Sequence, residues 1–376
     1  MAQARQPDPF FLKHGYVVYG DDFNAAVSGN NGKVFPAIRM STGDKVGIKL
    51  VEKFTTNAYG QKSAVDEKFI NKEADILNKL TIPRNINEDS HCKLLGSLCL
   101  LEMFDTYDAF YFVMPWIDGP SLSQWITTIR KTLPTNIANT HGNHRWVKAF
   151  KKGNITKYGL NKGVLYLMLE LSKTLQKLHN QNIAHSDLKP DNIHVSHKSC
   201  LLQLKNLKDE IDPNTFECHL VILDFGLSCL FNAVELHEQC LGTTPIMNAP
   251  ESWGMSPIDF HKNVKHQDVY SLGLILAWMG MGEHPYDDVK ETDDNKLLEK
   301  LIRNSQKAKN FINTGIKELD YIIKTYAVCQ DREQRNLDEL VHNLEFLYMH
   351  YNVSSTTNGE MLQLFSPLMK EVDEYR

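Results

Sequence analysis

The sequence predicts an α+β protein of two lobes: a small antiparallel-sheet lobe with one main helix, then a larger, mainly helical lobe. Three observations predict it. Residues 15–115 read as short β-type runs parted by turn residues, whereas after Gly119 apolar residues recur at helical spacing. The third is size: 376 residues with 42% hydrophobic content are enough for two cores and too apolar for a chain disordered throughout.

In chain order, residues 1–13 carry Pro7, Pro9 and several polar residues and read as an N-terminal tail. Strand candidates follow at Tyr16–Tyr19, Val34–Arg39, Val46–Val51, Leu95–Met103 and Phe110–Met114. Turn residues such as Gly29-Asn30-Asn31-Gly32 and Thr42-Gly43-Asp44 part them. One helix interrupts, because Phe69, Glu73, Ile76, Leu77 and Leu80 share a helical face. Leu165, Met168, Leu171, Leu175 and Leu178 form the apolar stripe of an amphipathic helix over 160–180. Residues 269–281 are apolar on nearly all sides, as in a buried helix, and 337–347 form a further amphipathic one. The lobes are thus assigned to 14–117 and 118–350, with a C-terminal tail at 351–376. A cleft between them is a natural ligand site.

Charge excludes some roles. With 41 Lys and Arg against 46 Asp and Glu, the net charge is −5, unlike a general binder of nucleic acid or anionic membrane. The most apolar run, Leu272–Met281, is half the length a spanning helix needs. Seven cysteines, an odd number without a CxxC pair, argue against a disulfide framework or a cysteine zinc site and for a reducing compartment. An intracellular, cytoplasmic protein is expected, with a nuclear location open. Nothing in the sequence sets an oligomeric state.

Two motifs carry chemistry. His185-Ser186-Asp187-Leu188-Lys189-Pro190-Asp191-Asn192 follows the long helix and leads into the β-type run Ile193–Val195. A loop there can aim Asp187 and Asn192 at one phosphoryl group. The carboxylate can orient a hydroxyl and accept its proton, and the amide oxygen can ligate Mg²⁺. The bland alternative is a polar turn. Asp224-Phe225-Gly226 follows a second apolar run, Leu220–Leu223, and an Asp there can hold a metal over the cleft.

Together these residues resemble the eukaryotic-type serine/threonine protein kinases over roughly residues 14–350. By that resemblance, Lys49 in Val46-Gly47-Ile48-Lys49 contacts the α- and β-phosphates of ATP, and Glu73 is its ion-pair partner. The glycine-rich loop falls on Val27–Val34, with Val27 in place of its first glycine, so Gly29, Asn30, Asn31, Gly32 and Val34 are nucleotide-binding candidates. The same stretch suits a plain β-hairpin. Met114, Pro115 and Ile117 form the adenine hinge, with Met114 as gatekeeper; Trp116 is either part of it or a core aromatic. Asn192 and Asp224 are the Mg²⁺ ligands, and Asp187 and Lys189 act on the acceptor hydroxyl and the transferring phosphoryl group. Thr244 lies near Asp187 and Lys189, and Glu251 pairs with Arg335. Asp268-Val-Tyr-Ser271-Leu-Gly273 matches the start of the helix that anchors the catalytic loop.

The departures carry implications. Ser186 stands where many members have an arginine that pairs with an activation-segment phosphate, so phosphorylation there is not expected to be required. Lys189 marks Ser/Thr-type members, so the partners implied are ATP, Mg²⁺ and proteins bearing Ser or Thr acceptors. Asp191, Asp287 and Asp288 suggest a preference for basic residues before the acceptor. Relative to a minimal member, residues 131–158 and about 196–218 look like inserts. The run from Lys131 to Lys157 is basic, either a docking surface or a solvated loop; its His141 and His144 form no metal site without further ligands. Two rivals remain at this point: a pseudokinase scaffold, favoured by Val27 and Gly47, and a small-molecule phosphotransferase, opposed by Ala249-Pro250-Glu251.

Overall fold

The structure is a computed structural model. It describes residues 7–19, 27–29, 32–56, 62–82, 91–92, 96–132, 162–197, 218–234, 239–240, 242, 244–282, 284–286, 300, 312–314 and 316–350. The described residues form a sheet lobe followed by a helical lobe. The inserts over 133–158 and 198–217, the tail 351–376, Asn30, Asn31, Asp287 and Asp288 lie outside the described residues.

The upper lobe is built on a curled antiparallel sheet in the order β1 (Tyr16–Val17), β3 (Gly32–Arg39), β4 (Lys45–Glu52), β10 (Ala109–Pro115) and β9 (Glu102–Asp105), with β2 (Val27–Gly29) paired to β3. Side chains alternate across a strand. Along β4 this buries Val46 and Ile48 with Phe35, Ala37 and Val113 on one face, and leaves Gly47 and Lys49 on the face toward the lower lobe. The expected tail contains a helix. Asp8 caps a short helix α1 (Pro9–Lys13) with Pro9 in its first turn. Phe11 packs on Phe35 and Tyr111, and His14 stacks on Phe104 at 4.3 Å, so α1 covers the outer face of the sheet.

Helix α2 (Glu67–Lys79) is capped by Asp66, which accepts the Lys68 N–H at 3.0 Å. Its buried face is Ile70, Glu73, Ala74, Ile76 and Leu77. Phe69, expected on that face, is 38% exposed, and Ile70 takes its place.

The expected strand Leu95–Met103 begins only at Glu102. Residues 96–98 pair with the lower lobe instead: the Leu98 N–H donates to the Ile222 carbonyl at 3.0 Å, and the Ile222 N–H to the Gly96 carbonyl at 2.9 Å. A Cβ on Gly96 would overlap Thr174, so only glycine allows this approach.

The lower lobe holds α3 (Leu122–Thr132), α4 (Lys162–Asn180), α5 (Pro257–Met281), α6 (Lys317–Tyr326) and α7 (Leu337–His350). Helix α5 starts twelve residues before the predicted buried run because Ser256 caps it, accepting the Asp259 N–H at 3.1 Å, and Pro257 fits its first turn. Leu272, Leu274, Ile275, Leu276 and Ala277 are fully buried. No described helix is long and apolar enough to cross a membrane.

The cysteine expectation fails. Cys92 is disulfide-bonded to Cys99 and Cys229 to Cys240, Cys218 is also disulfide-bonded, and Cys329 is free. The cysteines of the two described pairs are 7 and 11 residues apart in sequence, and their Cα atoms lie 5.3 and 5.2 Å apart. An odd count leaves one thiol over but does not prevent the rest from pairing.

Candidate active site

The Lys49 ammonium donates to Glu73 at 2.6 Å and to Asp224 at 3.3 Å. Both side chains of the Lys49–Glu73 pair are buried. Burial works against the ammonium, but the Glu73 and Asp224 carboxylates outweigh it, so Lys49 titrates above an ordinary lysine. Asp224 is likewise opposed by burial, yet Lys49 holds its carboxyl below the usual range.

Strand pairing sets the metal-ligand candidates side by side. Strand β12 (Ile193–Val195) pairs with β13 (Leu220–Ile222), Ile193 opposite Ile222, and the Leu223 N–H donates to the Asn192 carbonyl at 2.8 Å. Asn192 thus sits at one strand's start and Asp224 just past the other's end. Asp224 adopts φ +57°, a backbone conformation rare for a non-glycine residue. The Asn192 amide nitrogen donates to the Asp187 carbonyl at 2.9 Å and to its carboxylate at 3.1 Å, so its Oδ1 is left for a cation. An ionised carboxylate and a neutral amide oxygen are the hard donors that suit Mg²⁺.

Asp187 stands on a loop fixed from below. The buried Asp268 of α5 accepts the His185 and Ser186 N–H groups, each at 2.8 Å, and contacts His179 Nε2 at 3.0 Å. Those bonds stabilise the left-handed Ser186, φ +70°. His185 Nε2 donates to the Leu223 carbonyl at 2.9 Å, and the His185 ring meets Phe225 edge-on. At the acceptor end, Lys189 donates to Asp187 at 2.7 Å and to Thr244 Oγ1 at 3.0 Å. The Thr244 hydroxyl and N–H donate to Asp187 Oδ1 at 2.6 and 3.0 Å. Ser186 Oγ donates to the Gly242 carbonyl at 2.7 Å. Beyond, Glu251 forms a bidentate pair with Arg335, one arm at 2.9 Å.

A cavity of about 250 Å³ lies between the lobes. It brings together Gly32, Val34, Lys49, Glu73, Met114, Pro115, Ile117, Asn192 and Asp224 of the predicted residues. Gly29 is in β2, opposite Gly32, and does not line it. Gly32 has φ +135°, and a Cβ there would overlap the Leu50 carbonyl oxygen, so this glycine serves the hairpin's own closure onto β4. Trp116 lines the cavity half-buried, with its indole N–H on Asp118 at 2.7 Å; it is not a core aromatic. A Cβ on Gly47 would stand 3.5 Å from the Trp116 ring, in ordinary contact. Of the predicted specificity acids, Asp191 is described, and it accepts from Ser123 at 2.6 Å.

Sequence reasoning missed the apolar back of the cavity, Leu77, Leu98, Leu223 and Phe225. In the sequence Leu77 and Leu223 read as helix face and strand run, which carry no signal of facing a ligand.

Comparison with known proteins agrees with this geometry. The model of the protein kinase domain matches residues 27–347. A serine/threonine-protein kinase of Caenorhabditis briggsae, dkf-2, is 23% identical over 71% of this chain and 17% of its own length. A leucine-rich repeat receptor-like serine/threonine/tyrosine-protein kinase of Arabidopsis thaliana is 25% identical over 84% of this chain and 42% of its own. The serine/threonine-protein kinase atg1 of Aspergillus clavatus is 24% identical over 84% and 32%. The chain therefore spans less than half the length of these relatives. With the family model covering most of the sequence, the chain belongs to the protein kinase domain family.

Proposed function

We propose that the chain is an ATP- and Mg²⁺-dependent protein kinase that transfers the γ-phosphoryl group to Ser or Thr hydroxyls without needing an activation-segment phosphate. The observation that carries it is the Lys49–Glu73–Asp224 ion-pair cluster, which lines the cavity with Asn192, together with the Asp187–Lys189–Thr244 hydrogen-bond network that Asn192 joins through its amide.

Lys49, steadied by Glu73, binds the α- and β-phosphates. The carbonyl of Pro115 and the amide of Ile117 hold the adenine edge, and Gly32 and Val34 roof it. A Mg²⁺ ion held by Asp224 and Asn192 would neutralise phosphate charge. Asp187 orients the acceptor hydroxyl and takes its proton. Lys189 stabilises charge on the transferring group, and Thr244 keeps both aligned. Catalysis is then positioning plus electrostatics. The Ser186–Gly242 hydrogen bond occupies the place where an arginine–phosphate pair would otherwise tie down the segment. Gly47 adds room beside Trp116 and leaves the Lys49–Glu73 pair intact, so it gives the scaffold reading no support.

Radiolabelled transfer from ATP to generic basic proteins tests this. Wild type, treated or not with phosphatase, should label serine or threonine, and Asp187→Asn should lower the rate by about 10²–10⁴-fold. Nucleotide binding without transfer by wild type would leave the scaffold, and label on tyrosine would overturn the acceptor class.

A further inference from the structure

We propose that the Cys229–Cys240 disulfide is a redox switch, which in its oxidised state holds the activation segment and helix α2 in the arrangement that transfers phosphate; this rests on the proposed kinase activity. The bond closes a loop immediately after Asp224-Phe225-Gly226. Three anchors of the site flank its two cysteines. Cys229 lies in β14 (Cys229–Leu230), which pairs with β11 (Ile183–Ala184), the strand that enters the catalytic loop. The preceding Ser228 donates from its hydroxyl to the His185 carbonyl at 3.0 Å. Cys240 is two residues before Gly242, the partner of Ser186, and four before Thr244, the partner of Asp187.

The same loop reaches the opposite lobe. Lys72, a buried lysine of α2 adjacent to Glu73, donates to the Gln239 carbonyl at 3.4 Å. Displacing Gln239 thus removes a support of the helix that carries Glu73 to Lys49. With a serine at 186, no arginine of the catalytic loop is there for an activation-segment phosphate to hold, and the disulfide is the covalent tie that spans the segment.

The surroundings suit thiol–disulfide exchange. Both cysteines are fully buried, but the loop between them is exposed at Asn232 and at Val234, which is 83% exposed, so opening the loop gives access. His261 Nδ1 accepts the Cys240 N–H at 3.3 Å and lies 3.5 Å from Cys229 Sγ. Burial lowers the pKa of His261, which disfavours the imidazolium and suits Nδ1 to its role as acceptor. In reduction, a dithiol thiolate attacks one sulfur, the S–S bond breaks, and the dithiol's second thiolate displaces the mixed disulfide. The reductant leaves as a cyclic disulfide and both protein thiols are protonated. In reoxidation, the Cys240 thiolate attacks a small-molecule disulfide, releases one thiol and keeps the other half as a mixed disulfide, and the Cys229 thiol gives its proton to His261 Nδ1. Its thiolate then displaces the thiol carried on Cys240.

The test equilibrates the full chain with dithiothreitol or with glutathione disulfide. Transfer rate, thiol state by peptide mapping and hydrogen exchange of α2 and of 239–248 are then read. Reduction should lower kcat/KM roughly tenfold and speed exchange in both segments. The Cys229→Ser/Cys240→Ser double variant should match reduced wild type and ignore dithiothreitol. Equal activity and exchange in the two states, or a double variant that still responds, would overturn the proposal. So would one equivalent of tightly held zinc in the reduced protein, which would make Cys229, Cys240 and His261 its ligands. If oxidised wild type transfers no phosphate, the kinase reading fails, and exchange alone then decides whether the disulfide holds the two segments.

Discussion

The catalytic loop and the roof hairpin face each other across one cavity and are held in opposite ways. The loop from His185 to Asn192 is fixed by side chains: Asp268 below, Ser228 and Gly242 beside, Thr244 and Lys189 at its working end. The roof hairpin β2–β3 is held by strand pairing, with Gly32 pressed onto Leu50. The difference teaches where each part tolerates change. The loop depends on buried polar partners whose loss leaves unsatisfied groups behind. The roof depends on backbone space.

The largest effect expected from breaking this contrast is at Asp268. Asp268→Ala leaves two buried N–H groups without an acceptor and should cost roughly 3–5 kcal/mol, read by urea unfolding. Asp268→Asn keeps one acceptor oxygen and should recover part of the loss.

Next comes a place where the lower lobe lacks such satisfaction. His284 is buried against Trp278, its Nδ1 accepts from the Tyr286 N–H at 3.0 Å, and its Nε2 has no partner among the described residues. Burial pushes its pKa from 6.5 down to about 4. The folded state therefore disfavours the imidazolium, and the stability His284 contributes is present above pH 6.5 and lost as pH falls toward 4. Relative to His284→Asn, which keeps an acceptor for Tyr286, wild type should lose up to roughly 3 kcal/mol across that window. A pH series of unfolding midpoints that runs parallel for the two proteins would refute this.

The smallest effect sharpens the roof's side of the comparison. Gly32→Ala should raise the KM for ATP roughly tenfold, since backbone strain of about 1–3 kcal/mol falls on the hairpin. The kcat should barely move, because the Lys49–Glu73 pair is untouched, whereas the unfolding midpoint should fall by no more than that strain. A large fall in kcat would show that the roof also positions the reacting groups.

Much of the site was legible because its spacing is local. Asp187, Lys189 and Asn192 share one loop, and Glu73 announces itself by the apolar residues beside it on α2. The sheet and long helices were legible from period. What failed depends on tertiary choice. Residues 96–101 have strand character, but their hydrogen bonds go partly to Ile222 in the other lobe. Phe69 and Ile70 are adjacent apolar residues, and only the packed helix shows which one turns inward. The polar tail hid α1, whose Phe11 is buried by a sheet face the sequence could not show to be otherwise uncovered. The cysteines were misread because pairing follows distance in space.

The rung between Ser97 and Ile222 bears on how the molecule opens. The lobes are joined at the strand that leads through Met114 to Gly119 and again at this backbone contact, on the far side of the cavity's rear wall. These two backbone ties define an axis, about which the lobes can swing more readily than slide. The contacts Lys49–Asp224 and Lys72–Gln239 lie off the backbone ties and must part for a wide swing. Leu98 and Leu223 flank the rung, so the rear of the cavity changes shape less on opening than the roof at Gly32 and Val34.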